Sequence, residues 1–150
     1  MAVIDTGDPY VDFVDNIVKV LTDNIALLPG LAAINPAESH SLFDQPVVEV
    51  IWLGDNPTMK SRCEDRLRIK AQIRYWQADP AEFLNRRALA QRMGALQSIL
   101  SKNNQVNGFC INSEFGDIDF IEREISNMLV AEARIEFFGI RDIIVVRVEP

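Results

Sequence analysis

The chain has 150 residues, 48% of them hydrophobic and 25% charged, and its formal net charge is −7 at pH 7. These values are typical of a soluble globular protein, and the length predicts a single domain, residues 1–150, that buries about 70% of its unfolded surface. The negative charge argues against a general nucleic-acid binder. No apolar run approaches the roughly 18 residues of a membrane span, and the start resembles no signal peptide, so we expect the protein to stay in the cytoplasm in which it is made.

The first predicted element is an amphipathic helix. It begins at Asp8-Pro9, where an N-cap residue precedes a proline at the first helical position. Apolar residues then recur every three or four positions up to Leu28, and Pro29-Gly30 end the helix. The periodicity fails after this point, and residues 31–45 are predicted to form a surface loop.

Two strands are predicted next. Pro46–Leu53 is apolar on both faces apart from Glu49, which is typical of a strand that is central in a sheet or covered by a second layer. The turn-forming residues from Gly54 to Pro57 are predicted to break it, so that Gly54–Ser61 forms a loop longer than a tight hairpin needs, and such loops often carry contacts. Arg62–Trp76 then alternates between apolar and polar residues, which predicts a long strand with one face on a core.

The polar face of this long strand carries a row of cations, which we call the cationic ladder: Arg66, Arg68, Lys70 and Arg74. One interpretation is a solvated face whose arginines pair with cross-strand acids such as Glu132 and Glu136. A second is a contact between subunits, in which the arginines bind acidic loops of the next protomer. A basic stripe on an acidic protein suits head-to-tail contact, because unlike surfaces meet in a heterologous interface. Contact with DNA is a third interpretation.

The second half of the chain is predicted to hold one helix and three strands. The helix runs from about Pro80 to Leu100, with Asp79 as its N-cap and Glu82 at the capping-box spacing. The acidic stretch Ser113–Glu124 is interpreted as a solvated face or, alternatively, as an interface. The predicted strands are Gly108–Asn112, Met128–Phe138 and Ile143–Val148. This order, α-β-β-α-β-β-β, predicts an α+β fold: a mainly antiparallel sheet with two long helices packed on one face.

The last predicted strand, Ile143–Val148, has the sequence IIVVRV. It is β-branched and nearly uncharged, the composition of an aggregation-prone edge strand, and such a strand is rarely left unpaired. It pairs either within its own sheet or with a neighbouring subunit. The second alternative would make the protein an obligate oligomer.

No pattern in the sequence indicates catalysis, a metal or a cofactor. The one histidine, His40, stands in a predicted loop, and no GxSxG, P-loop or GxGxxG motif occurs. Cys63 and Cys110 form no CxxC pair and are interpreted as free thiols. The acidic stretch lacks the glycine and the terminal glutamate of a calcium-binding EF-hand loop. We therefore expect a protein that is not an enzyme.

The order and style of these elements resemble the tail terminator (tail completion) proteins of long-tailed bacteriophages. The resemblance rests on the N-terminal amphipathic helix, the loop leading into the apolar-Pro-apolar strand at residues 43–50, the long alternating strand and the capped helix. It ends with the alternation of Met128–Phe138 (MLVAEARIEFF) and covers about residues 10–138. It is a likeness of element order and not of a signature motif, and Ile143–Val148 has no counterpart in it.

The resemblance implies a hexameric ring, located in the tail or neck of the virion after assembly in the host cytoplasm. Such a ring stops polymerisation of the tail tube and joins the tail to the head, so its partners are further copies of itself, the tail tube protein and the head-tail connector, with genomic DNA only as passing cargo. The residues predicted to form these contacts are Arg66, Arg68, Lys70, Arg74, Asp55, Lys60, Ile143 and Val145. The alternatives are a head-tail connector or neck protein, a small nucleic-acid-binding α+β domain, and a metal-dependent enzyme.

Overall fold

The computed structural model describes residues 2–28, 31, 33–37, 46–78, 82–125 and 128–145. Its elements are α1 (Pro9–Asp23), β1 (Ala33–Asn35), β2 (Val47–Ser61), β3 (Glu64–Ala78), α2 (Glu82–Lys102), β4 (Asn112–Ile125) and β5 (Met128–Ile144). A short 3₁₀ turn, Ile25–Leu27, follows α1. The predicted α+β class is confirmed, whereas the predicted element order is correct only in part.

The strands form one mixed sheet of five strands in the order β1-β2-β3-β5-β4. β1 runs parallel to β2, and all other neighbours are antiparallel. β3 is therefore the central strand of the sheet. Sequence reasoning missed β1, because residues 31–45 were expected to form a loop.

The main core lies between the helices and one face of the sheet. On β3 the predicted apolar face is confirmed: Leu67, Ile69, Ala71, Ile73 and Tyr75 are all buried. Side chains of α1 and of α2 join them in a single hydrophobic cluster, so both helices cover the same face. Among the helices of the described residues, none is long and apolar enough to cross a membrane.

The start of α1 agrees with its sequence signal. The Asp8 side chain accepts hydrogen bonds from the backbone N–H groups of Tyr10 and Val11, at 3.0 and 3.2 Å, and Pro9 occupies the first turn. The helix ends earlier than predicted, at Asp23, where Asn24 adopts a non-helical conformation and its side chain donates to the Val20 carbonyl. α2 begins at Glu82, and its predicted N-cap, Asp79, lies outside the described residues.

The predicted loop Gly54–Ser61 is wrong, because β2 continues through it to Ser61 and pairs with β3 throughout. The chain turns only at Arg62-Cys63. At the predicted break the strand has only a register shift, between Trp52 and Gly54, after which pairing with β3 continues. Gly54 has a φ of +153°. Pro57 is tolerated here because, among the described residues, only β1 pairs with the outer side of β2, and only at Val47–Glu49.

The predicted strands after α2 also need correction. Gly108–Asn112 is not a strand of its own. Residues 103–109 form turns, in which Val106, Asn107 and Gly108 have positive φ, and Asn112 begins β4, which the acidic stretch forms. The predicted separate strands Met128–Phe138 and Ile143–Val148 are one strand, β5, as far as Ile144. Gly139 does not interrupt this strand. A Cβ at this position would stand 2.3 Å from Cε1 of Phe13, so the packing of the ring requires a glycine here. The glycine admits a buried ring and does not mark a turn.

Candidate functional site

The candidate site is the face of the sheet opposite the helices, which we call the outward face. The even-numbered residues of β3, including the whole cationic ladder, lie on this face because side chains alternate along a strand. Arg66 and Arg68 are exposed, whereas Lys70 and Arg74 are half-buried. The structure therefore brings the ladder residues together in one row, as the alternation predicts.

At one end of the row, two cationic side chains meet at Asp142 of β5. Arg66 donates from Nε to Asp142 Oδ1 at 2.9 Å, and Lys60 Nζ lies 2.8 Å from Asp142 Oδ2. The two cations stabilise the carboxylate and lower the pKa of Asp142 from 3.8 to about 2. The same hydrogen bonds raise the pKa values of Lys60 and Arg66.

The middle of the row is built around the ring of Phe138. The Arg68 guanidinium carbon lies 3.8 Å from the ring centroid, and Arg68 Nη2 contacts Glu114 Oε1 of β4 at 2.6 Å. Lys70 Nζ contacts Glu136 Oε1 at 3.0 Å and lies 5.8 Å from the same centroid. The expected partner Glu136 is thus found, but it binds the lysine. Arg66 and Arg68 bind acids that sequence reasoning did not assign to them, Asp142 and Glu114.

The far end of the outward face is buried. Trp76 donates from Nε1 to Glu49, and Val47 and Val130 complete a second small apolar cluster there. Arg74 donates to Gln72 Oε1 at 2.6 Å. Glu132 accepts a hydrogen bond from Arg134 of its own strand. The exposed half of the face, around Arg68, is therefore the part available to a partner.

The other predicted contact residues do not all join this surface. Asp55 lies on the helix side, where its carboxylate accepts a hydrogen bond from Tyr10 Oη at 2.7 Å. Lys60 stands in β2, not in a loop. Ile143 packs against the core, and the Val145 backbone N–H donates to the Cys63 carbonyl at 2.9 Å. This end of the predicted last strand therefore pairs within its own sheet.

A second surface feature was missed by sequence reasoning. A groove of about 320 Å³ lies between α1 and β2, lined by Tyr10, Val11, Val14, Asp15, Pro36 and Trp52. The rings of Tyr10 and Trp52 pack with their centroids 5.0 Å apart, yet Trp52 remains 45% exposed. The sequence carried one signal for it: Val11 is apolar but lies outside the helical stripe that faces the core.

The described residues contain no group of three or more histidine, cysteine or acidic side chains that could hold a metal ion. Both cysteines are free thiols, with Cys63 exposed and Cys110 buried. His40 lies outside the described residues. The chemistry visible on this surface is ion pairing and apolar contact.

No protein-family model matches the chain, and no curated protein matches it.

Proposed function

We propose that the protein is a structural protein of a long-tailed bacteriophage, a tail terminator that forms a ring on the end of the tail tube and joins the tail to the head or neck. The observation that carries the proposal is the order of the elements. A capped amphipathic helix, a long antiparallel hairpin, a second helix and a final strand pair follow one another. These elements support the resemblance, although β1 and the extent of the late strands differ from the predicted order. The protein acts through its surfaces and is not an enzyme.

The open sheet supports assembly into a ring. Within the described residues, β4 pairs only with β5, and β2 has no outer neighbour beyond Glu49, so both edges of the sheet are free over long stretches. Free edges present unpaired backbone donors and acceptors, which natural proteins commonly shield or use for association. When two unlike surfaces of identical subunits meet, the contact repeats from subunit to subunit and closes into a ring if the rotation allows.

The paired charges of the outward face favour a protein partner over nucleic acid. Arg66, Arg68 and Lys70 are each held by an acid of the same subunit, so the ladder is not a bare basic stripe. Exposed ion pairs add little stability individually. They do fix register and orientation when a surface of complementary charge docks. We therefore assign the ladder to alignment of a protein contact.

Native mass spectrometry of the protein, alone and with its tail tube protein, tests the proposal. We expect a hexamer, or a monomer that becomes a hexamer only on tube ends. A monomer that ignores tubes but binds an added oligonucleotide would refute the proposal. The outward face would then be a nucleic-acid surface, and its binding would weaken steeply with salt.

The charge reversal Arg68→Glu tests the role of the ladder. Arg68 and Glu114 are 44% and 52% exposed, so the reversal should leave the fold intact and reduce assembly on tubes. Arg74 is less suitable, because it stands opposite the buried Glu49 and its reversal would place two carboxylates together. The control is Arg68→Glu combined with Glu114→Arg, which restores the pair within the subunit. Assembly that persists in the single variant would remove Arg68 from the interface.

A further inference from the structure

The outer edge of β4 is the unpaired end of the sheet. β4 is the last strand in the sheet order, and among the described residues only β5 pairs with it. A register shift divides β4 between Phe115 and Ile118, but from Ile118↔Ile135 to Ile125↔Met128 its pairing with β5 is continuous. Every second residue of a regular edge strand directs its backbone N–H and C=O away from the sheet. Residues 118–124 therefore present a row of backbone groups that can pair with a further strand.

The helix layer covers β5 more completely than β4. Ile135 of β5 and Ile118 of β4 stand opposite each other, yet Ile135 is 1% exposed and Ile118 is 39% exposed. Phe120, the next residue on the same face of β4, packs against the core and is half-buried. A strand added at the outer edge would therefore cover apolar surface on the helix side, in addition to pairing with the backbone.

The charges of β4 determine which strand can add there. The strand carries five acidic residues and one arginine. Asp119, Glu122 and Glu124 are exposed, and none of the three forms an ion pair with a side chain that the structure describes. Opposite charges that face each other across two strands attract, whereas like charges repel. The edge therefore favours a segment that places lysine or arginine opposite these carboxylates.

Neither edge strand of a second copy matches this requirement. A second β4 would bring the same acids against the first, and the two strands would repel each other. β2, the longer strand near the opposite edge, carries Glu49 and Asp55 against one cation, Lys60, which already binds Asp142 at 2.8 Å. The acids of β4 thus act against pairing between copies and leave the edge to a cationic segment of a different protein.

We propose that residues 118–124 bind an extended, cationic segment of another protein, which adds to the sheet antiparallel to β4. Its backbone pairs with the outer edge of β4, the mode by which sheets bind peptides through strand addition. Apolar side chains of the segment stand opposite Ile118 and Phe120, and lysine or arginine stands opposite Asp119, Glu122 and Glu124. The inference goes beyond the proposed function, because the contact is with a different protein and applies to a single subunit as well as to a ring.

A designed peptide of the sequence Lys-Thr-Lys-Val-Val-Lys-Val tests the binding. In the antiparallel register its first lysine stands opposite Glu124 and its last valine opposite Ile118. We expect the labelled peptide to bind the full-length protein in a fluorescence anisotropy titration, and to slow hydrogen exchange at residues 118–124. The matched control peptide is methylated on the backbone nitrogens of the two central valines, which blocks both of its edges and leaves its charge unchanged. It should bind about tenfold more weakly or less.

A charge reversal on β4 tests the register. Glu122→Lys should weaken binding of the peptide about fivefold or more, because it replaces an attraction across the strands by a repulsion. A second peptide, in which the lysine opposite Glu122 is replaced by glutamate, should bind Glu122→Lys better than it binds the unchanged protein. The matched control variant is Asp23→Lys, which makes the same change of charge at an exposed position of α1 and should leave binding of the first peptide unchanged.

Equal binding of the methylated peptide, or an equal effect of Glu122→Lys and Asp23→Lys, would overturn the inference, since charge alone would then explain the binding. Absence of binding would overturn it as well. Protection of residues 118–124 that rises with protein concentration, without any peptide, would show that a second copy occupies the edge and would also refute it. A protein that caps tail tubes but ignores the peptide would retain the proposed function alone. One that binds the peptide at β4 but caps no tubes would refute only the proposed function.

Discussion

Gly139 offers the sharpest test of the core, because it lies in the middle of β5 directly beneath a ring of α1. A methyl group at this position would stand 2.3 Å from Cε1 of Phe13 and 2.7 Å from the sulfur of Cys110. Carbon atoms in good contact are about 3.5–4.0 Å apart, so the ring would have to move by more than about 1 Å. Phe13 is fully buried and stacks on Phe137, with centroids 6.0 Å apart, which opposes such a movement.

We therefore expect Gly139→Ala to lower the free energy of unfolding by about 3 kcal/mol, the upper part of the usual range for overpacking. For a chain of this size that corresponds to a fall in Tm of about 6–12 °C. The matched control is Gly94→Ala in α2, where an added Cβ meets no atom within 4 Å. It should raise the stability by up to about 1 kcal/mol, because alanine favours the helix over glycine.

Urea unfolding at one protein concentration, followed by circular dichroism, measures both variants, since association would otherwise shift the apparent stability. A loss below about 1 kcal/mol in Gly139→Ala would refute the close packing of Phe13 over β5. The variant Phe13→Leu sharpens the test. If the ring causes the clash, Phe13→Leu combined with Gly139→Ala should cost clearly less than the sum of the two single changes.

Three further predictions follow from the described contacts. The pKa of Asp142 is about 2 in the folded chain and 3.8 without its partners, so its contribution to stability is present above about pH 4 and is lost as the pH falls toward 2. In Asp142→Asn the urea midpoint should therefore depend less on pH over that interval. A pH dependence equal to that of the unchanged protein would contradict the pairing. Cys63 is exposed, whereas burial raises the pKa of Cys110 to about 12. A thiol reagent should therefore modify Cys63 quickly and Cys110 only on unfolding, and Cys63→Ser should abolish the fast reaction. The Asn16 side chain forms hydrogen bonds with both the N–H and the carbonyl of Ile4, at 2.9 and 2.7 Å. Asn16→Ala should therefore lower the free energy of unfolding by about 2 kcal/mol and speed hydrogen exchange at residues 2–8. Unaltered exchange there would contradict this anchoring role.

Local signals in the sequence predicted the parts of the fold that depend on neighbouring residues. The cap at Asp8 and the alternation around Ile69 need only a few adjacent positions, and the structure confirms both. The predicted break at Gly54 was wrong because strand continuation depends on the partner strand. The predicted end of a strand at Phe138 was wrong for a related reason, since the next residue, Gly139, is required by the packing of a distant helix and not by a turn.

The sequence by itself determined that the cationic ladder occupies one face of the central strand, since a period of two follows from backbone geometry alone. Only the tertiary structure decided what the ladder binds. Arg66 meets Asp142, 76 residues away, and Arg68 meets Glu114, 46 residues away, because the register of β3, β5 and β4 places them side by side. The groove depends likewise on α1 packing against β2, and no spacing within either segment encodes that contact.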